Sequence, residues 1–211
     1  PRASRLARLD PMTPEREHVL AANMDQMVIV ASYVYPKVKW GLIDRYLVLA
    51  EEQEIPAVLV LNKKDLLDGQ SEEFRKECQE YLEIYQNLNY RVVCVRADKP
   101  SEGDRKLVRD IFQDKISLIS GHSGVGKSSL VNLLQPEISQ DVETEDILTK
   151  GRHTTTYSSF IRLGVGGYVI DTPGIRSFMI EDRTSIDLSW SFVDLRPYQN
   201  QCRFRECRHI D

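Results

Sequence analysis

Short apolar runs alternate with amphipathic stretches along the first two thirds of the chain. Continuous apolar runs of strand length predict buried parallel strands over residues 27–32, 56–61, 91–96 and 115–120. Apolar residues at helical spacing predict helices over 41–53, 71–86, 102–113 and 127–134. This alternation predicts an α/β fold, a mostly parallel sheet with helices on both faces.

The pattern weakens outside this region. Residues 1–19 carry four arginines and little apolar pattern, which predicts an irregular lead-in whose arginines are a solvated surface rather than an RNA site. Residues 136–157 are polar and predict a long loop. Apolar segments at 158–163 and 168–171 flank a glycine-rich stretch, which predicts a β-hairpin.

Composition narrows the function classes. A net charge of −4 over 211 residues argues against a general polycation, so any RNA contact must come from local patches. No apolar run approaches the roughly 20 residues that span a bilayer, and no signal-peptide pattern opens the chain. The chain begins at Pro1 without a Met, so we expect a fragment. Four cysteines are too few for a disulfide framework, and Cys78 and Cys94 are expected to be reduced core residues.

Residues 121–129, GHSGVGKSS, carry the strongest chemical signal. They fit G-x-x-x-x-G-K-[ST] between a predicted strand and a predicted helix. The glycines let backbone N–H groups turn inward around an anion, and Lys127 adds a charge for the outer phosphates. The Ser128 hydroxyl suits the Mg²⁺ that accompanies them.

Two weaker motifs complete a nucleotide signature. Residues 62–65 fit N-K-x-D, in which the Asp65 carboxylate can accept hydrogen bonds from the N1–H and 2-amino groups of guanine. Residues 171–174 fit D-x-x-G, in which Asp171 can reach Mg²⁺ through water and Gly174 can contact a γ-phosphate. Each motif alone also fits an ordinary turn, but the three together indicate a GTPase.

The order of the motifs points to one family. NMDQ (23–26), NKKD (62–65), GHSGVGKSS (121–129), KGRHTTT (150–156) and DTPGI (171–175) follow in that order, so the guanine motif precedes the phosphate loop. Over nearly its whole length the chain resembles the circularly permuted, ribosome small-subunit-dependent GTPases of the RsgA/YjeQ type. The resemblance implies a cytoplasmic, monomeric P-loop GTPase that hydrolyses GTP to GDP during maturation of the small ribosomal subunit, with the subunit and its rRNA as partners and no membrane.

The resemblance also assigns site residues. It assigns guanine binding to Asn62, Lys63, Asp65 and Ala97. It assigns phosphate binding to Ser123, Gly124, Val125, Gly126, Lys127, Ser128, Ser129 and Gly174. It assigns Mg²⁺ binding to Ser128, Thr155 and Asp171. The family's Ser-Ala loop departs here, because Arg96 stands in place of the serine before Ala97.

The catalytic assignment has a gap. Ile175 stands where Ras-like enzymes carry the glutamine that orients the attacking water. Thr155 is the expected switch threonine. The water-positioning group is expected to be either His153 or a group from the ribosomal partner; a solvated loop histidine is the alternative for His153. We therefore expect slow intrinsic hydrolysis that the small subunit accelerates.

A zinc-binding appendage is expected after the GTPase domain. The resemblance makes Cys202, Cys207 and His209 ligands of one Zn²⁺, with a fourth ligand missing from the chain, so a weak or empty site is expected. Two free cysteines in a surface loop are the alternative. The arginines of this segment could meet rRNA phosphates or form a solvated face. The predicted division is a lead-in (1–22), the GTPase domain (23–183) and the start of the zinc domain (184–211).

Two other functions fit parts of the sequence. One is a nucleotide-dependent switch on another RNA or ribonucleoprotein, with incidental hydrolysis. The other is an ATPase that shares the phosphate loop. The Asp65→Asn variant separates a GTPase from the second alternative. In a GTPase this change is expected to weaken GTP binding and favour a xanthine nucleotide.

Overall fold

A mostly parallel six-stranded sheet lies at the centre of the part of the chain that the computed structural model describes, residues 4–9, 17–135, 159–171, 190–199 and 201. The strands are β1 (Arg5–Leu9), β2 (Glu17–Ala22), β3 (Gln26–Ser32), β4 (Ala57–Asn62), β5 (Arg91–Cys94), β6 (Ile116–Ser120), β7 (Ser159–Arg162) and β8 (Tyr168–Asp171). The α-helices are α1 (Trp40–Glu52), α2 (Glu72–Asn87), α3 (Glu102–Phe112) and α4 (Lys127–Asn132). Short 3-10 helices cover Lys64–Leu66 and Val193–Tyr198.

The strand order brings the motif-bearing strand ends to one edge of the sheet. The order is β5-β4-β3-β6-β8-β7, with β7 antiparallel to β8 and the other neighbours parallel. In register, Ser32 lies opposite Asn62, and Ile119 lies opposite Asp171. The carboxyl ends of parallel strands are where α/β sheets bind ligands.

Alternate residues of the central strand β3 enter two different cores. Met27, Ile29 and Ala31 join a cluster that contains the buried faces of α1 and α2. Val28 and Val30 join a second cluster with residues of α3 and α4. Because successive side chains of a strand point to opposite faces, the helices cover both faces of the sheet, which confirms the predicted fold class.

The helix starts follow local capping chemistry. Ser71 caps α2, and its hydroxyl accepts a hydrogen bond of 3.2 Å from the Phe74 amide. At α3, Ser101 and Asp104 form a reciprocal capping box, in which each side chain accepts from the backbone amide of the other residue. The predicted strands, helices and hairpin within 23–135 and 159–171 are confirmed, with bounds shifted by a few residues at most.

The predicted irregular lead-in is wrong for Arg5–Leu9 and Glu17–Ala22. These segments pair as antiparallel strands with a register shift between Leu6 and Ala7. Leu6 is fully buried and joins the core under α1 and α2. The Ser4 hydroxyl donates to the Met24 carbonyl (2.6 Å) and accepts from the Met24 amide (2.7 Å). Arginines interrupt the apolar positions of Arg5–Leu9, so the sequence pattern does not indicate a strand there.

Several predictions stay as predictions. The predicted loop 136–157 lies outside the described residues, and the domain boundaries are not tested.

Cys78 is a buried free thiol and Cys94 a half-buried one. Across the described ranges, helices fall short of the length and apolar character that a bilayer crossing requires.

Candidate nucleotide-binding site

The loop between β6 and α4 presses against two neighbouring elements. Gly121 and Gly126 adopt positive φ values of 143° and 99°. A Cβ on Gly121 would lie 2.0 Å from the Val30 carbonyl oxygen of β3. A Cβ on Gly126 would lie 2.1 Å from the Asn62 amide nitrogen. Both positions therefore require glycine, for backbone conformation and for space.

The Lys127 side chain folds back over this loop. Lys127 is buried, and its ammonium group donates to the carbonyls of Gly121 (2.8 Å) and His122 (3.0 Å). Ser123 and Gly124 face solvent, and Val125 is buried beneath them. A turn of backbone N–H groups with an adjacent ammonium is the arrangement that phosphate groups occupy in P-loops. Ser128 and Ser129, both partly exposed, follow in the first turn of α4.

Asn62, at the end of β4, joins three loops. Its amide nitrogen donates to the Val125 carbonyl in the phosphate loop at 2.9 Å. Its amide oxygen accepts from the backbone N–H groups of Ala97 (3.0 Å) and Lys63 (2.8 Å). Asn62 is 2% exposed, so these partners replace water entirely. The predicted guanine motif, the loop at Ala97 and the phosphate loop are thus held together by one side chain.

Lys63 makes a second link to the phosphate loop. Its backbone is left-handed, with φ of 60°. Its ammonium group donates to the Gly124 carbonyl at 2.7 Å and to the Tyr35 carbonyl. The aliphatic part of the side chain therefore runs from the end of β4 toward the phosphate loop.

Asp65 sits in the 3-10 helix that follows, with a partly exposed carboxylate. The Arg96 Nε lies 3.6 Å from one of its oxygens. Its neighbour Lys64 points the other way and donates to the buried Asp104 carboxylate at 2.7 Å. Burial alone would raise the pKa of Asp104. The hydrogen bonds from Lys64 and Ser101 outweigh it and lower that pKa to about 2.

Two side chains with oxygen atoms, Asp171 and Ser128, lie at the same edge of the sheet. Asp171 ends β8 beside Ile119, which is just upstream of the phosphate loop, and Ser128 lies in the last part of that loop, in the first turn of α4. Carboxylate and hydroxyl oxygens are hard donors of the kind that Mg²⁺ prefers. Over the residues that the structure describes, groups of three or more His, Cys, Asp or Glu side chains suited to a metal ion do not occur.

The family follows from a comparison of the sequence with protein families. A model described as RsgA GTPase matches residues 1–181. The chain belongs to the RsgA GTPase family. The predicted resemblance is therefore confirmed, and the match includes the β1–β2 pair.

Curated RsgA relatives are longer than this chain. A protein of Vibrio parahaemolyticus, named Small ribosomal subunit biogenesis GTPase RsgA 1, is 42% identical over an alignment of 214 positions that covers 100% of this chain and 58% of the relative. A Chlorobaculum parvum protein, named Small ribosomal subunit biogenesis GTPase RsgA, is 42% identical over 92% of this chain and 60% of its own length. The chain thus spans somewhat more than half of these RsgA proteins.

Two solved structures share the RsgA fold. YjeQ from Thermotoga maritima superposes with a TM-score of 0.73 and 31% identity, covering 100% of this chain and 65% of YjeQ. YloQ, described as a circularly permuted GTPase, gives a TM-score of 0.68 and 28% identity over 100% of this chain and 62% of YloQ. The permuted P-loop fold predicted from the motif order is therefore confirmed.

The described residues bring together part of the predicted RsgA site. The residues that lie around the carboxyl edge of the sheet are Asn62, Lys63, Asp65, Ala97, Ser123–Ser129 and Asp171. The remaining predicted residues lie outside the described ranges: His153, Thr155, Gly174, Cys202, Cys207 and His209.

Sequence reasoning missed two ion pairs of this site. Arg96 replaces the serine of the Ser-Ala loop, but nothing in the sequence indicates its approach to Asp65. The Lys64–Asp104 pair was also missed, although Ser101 and Asp104 stand at capping-box spacing and mark a helix start there. The contact of Lys63 with the Tyr35 carbonyl leaves no signal in the sequence.

Proposed function

We propose that this RsgA-family chain binds GTP and hydrolyses it to GDP and phosphate. The observation that carries the proposal is the Asn62 side chain, which bonds at once to the phosphate loop and to the loop at Ala97. A base-recognition motif tied in this way to a phosphate-binding loop suits one ligand that spans both, a nucleoside polyphosphate.

In this proposal each motif has one task. Asp65 accepts from the guanine edge, Lys63 covers the purine face, and Asn62 and the Ala97 amide complete the base pocket. The phosphates bind along Ser123–Ser129 and at Gly174. Ser128, Thr155 and Asp171 hold Mg²⁺, whose charge stabilises the phosphates during transfer.

The proposed context is maturation of the small ribosomal subunit in the cytoplasm, with the subunit and its rRNA as partners. The names of the bacterial relatives support this role. Because Ile175 cannot orient water, the attacking water is positioned by His153 or by the subunit. The chain acts as a monomer, which light scattering on the purified chain tests.

The deciding experiment is GTP turnover by this chain with and without purified small ribosomal subunits, at fixed salt and Mg²⁺. We expect slow basal turnover and strong stimulation by the subunits. Equal turnover in both conditions would contradict the ribosomal role. Equal stimulation by unrelated RNA would instead favour the alternative, a general RNA-binding switch with incidental hydrolysis.

The zinc site remains a separate proposal. It rests on the spacing of Cys202, Cys207 and His209, three of the soft ligands that structural Zn²⁺ sites use. Metal analysis of the purified chain tests it, with Cys202→Ser as the variant. Zinc content that is equal in the two proteins would contradict the assignment.

A further inference from the structure

Three charged side chains form an ion-paired group at the rim of the proposed guanine site. The Arg96 guanidinium lies between the carboxylates of Asp65 and Asp98. Its Nε and Nη2 donate to the two oxygens of Asp98 at 2.9 and 3.2 Å, while its Nε lies 3.6 Å from Asp65 Oδ2. Asp98 therefore sets the orientation of the guanidinium, since a two-point contact fixes its plane.

The backbone on both sides of Arg96 is fixed to the end of β4. The Val95 amide donates to the Leu61 carbonyl at 2.9 Å. The buried Ala97 amide donates to the Asn62 side chain at 3.0 Å. Arg96 thus projects from a segment that is already part of the base pocket, and its position relative to Asp65 is set by the same hydrogen bonds that build the pocket.

Arg96 attracts the Asp65 carboxylate without forming a hydrogen bond to its oxygens. A separation of 3.6 Å lies beyond the usual 2.7–3.2 Å range of N–H···O hydrogen bonds. The Coulomb attraction persists at this distance in weakened form, because both side chains are partly exposed, with 32% and 26% of their areas open to solvent. The acceptor positions of Asp65 stay open to a ligand while its charge is held on one side.

We propose that Arg96 is a positioning residue for guanine recognition, which steadies the Asp65 carboxylate for its two-point contact with the base while Asp98 fixes the guanidinium. This inference rests on the proposed function, in which Asp65 binds guanine. It gives a role to the residue at which this chain departs from the Ser-Ala loop.

A steadied carboxylate matters most for a base that needs both of its oxygens. Guanine offers two donors, N1–H and the 2-amino group, whereas hypoxanthine offers N1–H alone. A carboxylate that is free to rotate still makes one hydrogen bond well, but it makes two poorly. Loss of Arg96 should therefore weaken the binding of GDP more than that of IDP, the hypoxanthine analogue.

The experiment measures dissociation constants of the full chain for GDP, IDP and ADP by calorimetry. The proteins are the wild type, Arg96→Ala, Arg96→Lys and the matched control Arg91→Ala, an exposed arginine at the start of β5. Thermal melting of each variant checks that it is folded. A partly exposed ion pair predicts that Arg96→Ala lowers the preference for GDP over IDP about two- to fivefold.

We expect Arg96→Lys to restore part of this preference and Arg91→Ala to leave it unchanged. A preference that stays the same or rises in Arg96→Ala would overturn the inference and leave the guanine assignment intact, provided that the wild type binds GDP more tightly than ADP. A wild type that binds GDP and ADP equally would overturn the guanine assignment itself, and the inference with it.

Discussion

Gly126 and Asn62 occupy the point where the base motif and the phosphate loop meet. The Cα of Gly126 faces the Asn62 amide so closely that a single added methyl group would lie 2.1 Å from its nitrogen. That nitrogen is committed to the Val125 carbonyl, one residue before the glycine. Space, backbone conformation and hydrogen bonding thus constrain the same few atoms. A small change there alters both the base motif and the phosphate loop.

Gly126→Ala is predicted to destabilise the protein and to abolish nucleotide binding. The positive φ alone costs about 1–3 kcal/mol for a residue with a Cβ, and displacement of Asn62 adds to this cost. The measurements are urea unfolding and GDP binding by calorimetry.

Gly103→Ala is the matched control. Gly103 lies in the first turn of α3, where an added Cβ meets nothing nearer than the Ser101 hydroxyl at 3.7 Å. Alanine should raise the stability there by about 0.5 kcal/mol through its higher helix propensity. If both variants bound GDP as the wild type does, the steric argument at Gly126 would fail.

At the scale of elements, the Lys64–Asp104 ion pair joins α3 to the segment that follows β4. Asp104 accepts hydrogen bonds from Ser101 within its own capping box and from Lys64 within the base motif. The buried carboxylate therefore has several donors, and its low pKa reflects them. One aspartate both starts a helix and anchors the segment that carries Asp65.

Because Asp104 is ionised in this ion pair, the stability of the protein is predicted to fall at acid pH. The folded-state pKa of Asp104, about 2, lies below the ordinary 3.8. Its stabilisation is therefore complete only above about pH 5 and is lost as the pH falls toward 2. The shift corresponds to about 2 kcal/mol.

The measurement is the free energy of unfolding of the wild type and Asp104→Asn between pH 2 and 6. We expect the difference between the two proteins to be largest at pH 5–6 and to shrink toward pH 2. Asp110→Asn, an exposed change on the same helix, should give a small difference at every pH. A difference for Asp104→Asn that did not vary with pH would rule out the ionic contribution.

For the whole molecule, sequence patterns predicted the sheet and its helices well. Apolar runs with a helical stretch between them define β3, α1 and β4 by period and length alone. The contacts that complete the site were harder, because they join residues far apart in the chain. Lys64 and Asp104 are separated by 40 positions, and local patterns carry no record of such a pairing.

The 3-10 helix Val193–Tyr198 contacts the end of α1 through a charged pair. Arg196 Nη2 lies 2.6 Å from the Glu51 carboxylate, and Arg196 Nε donates to the Trp190 carbonyl at 2.7 Å. Glu51 also accepts from the Tyr90 hydroxyl at 3.0 Å. The 3-10 helix Val193–Tyr198 is thereby held over the helical face of the core.

Arg196→Ala is predicted to loosen this segment while leaving the core folded. Because the pair is partly exposed, the loss of global stability should not exceed about 1 kcal/mol. Hydrogen exchange should be faster for the amides of Val193–Tyr198 and unchanged in β3 and β4. Arg75→Ala, an exposed change on α2, should leave both regions as in the wild type. Unaltered exchange at Val193–Tyr198 in Arg196→Ala would mean that other contacts hold the segment.

The permuted strand order has a consequence for the sequence of events during translation. The half of the sheet that carries Asn62, formed by β3, β4 and β5 with α1 and α2, is synthesised before the phosphate loop. Those strands are neighbours in the sheet and can pair as they emerge. Until β6 arrives, one edge of β3 stays unpaired, and that nascent edge is where a chaperone or a second growing chain can bind.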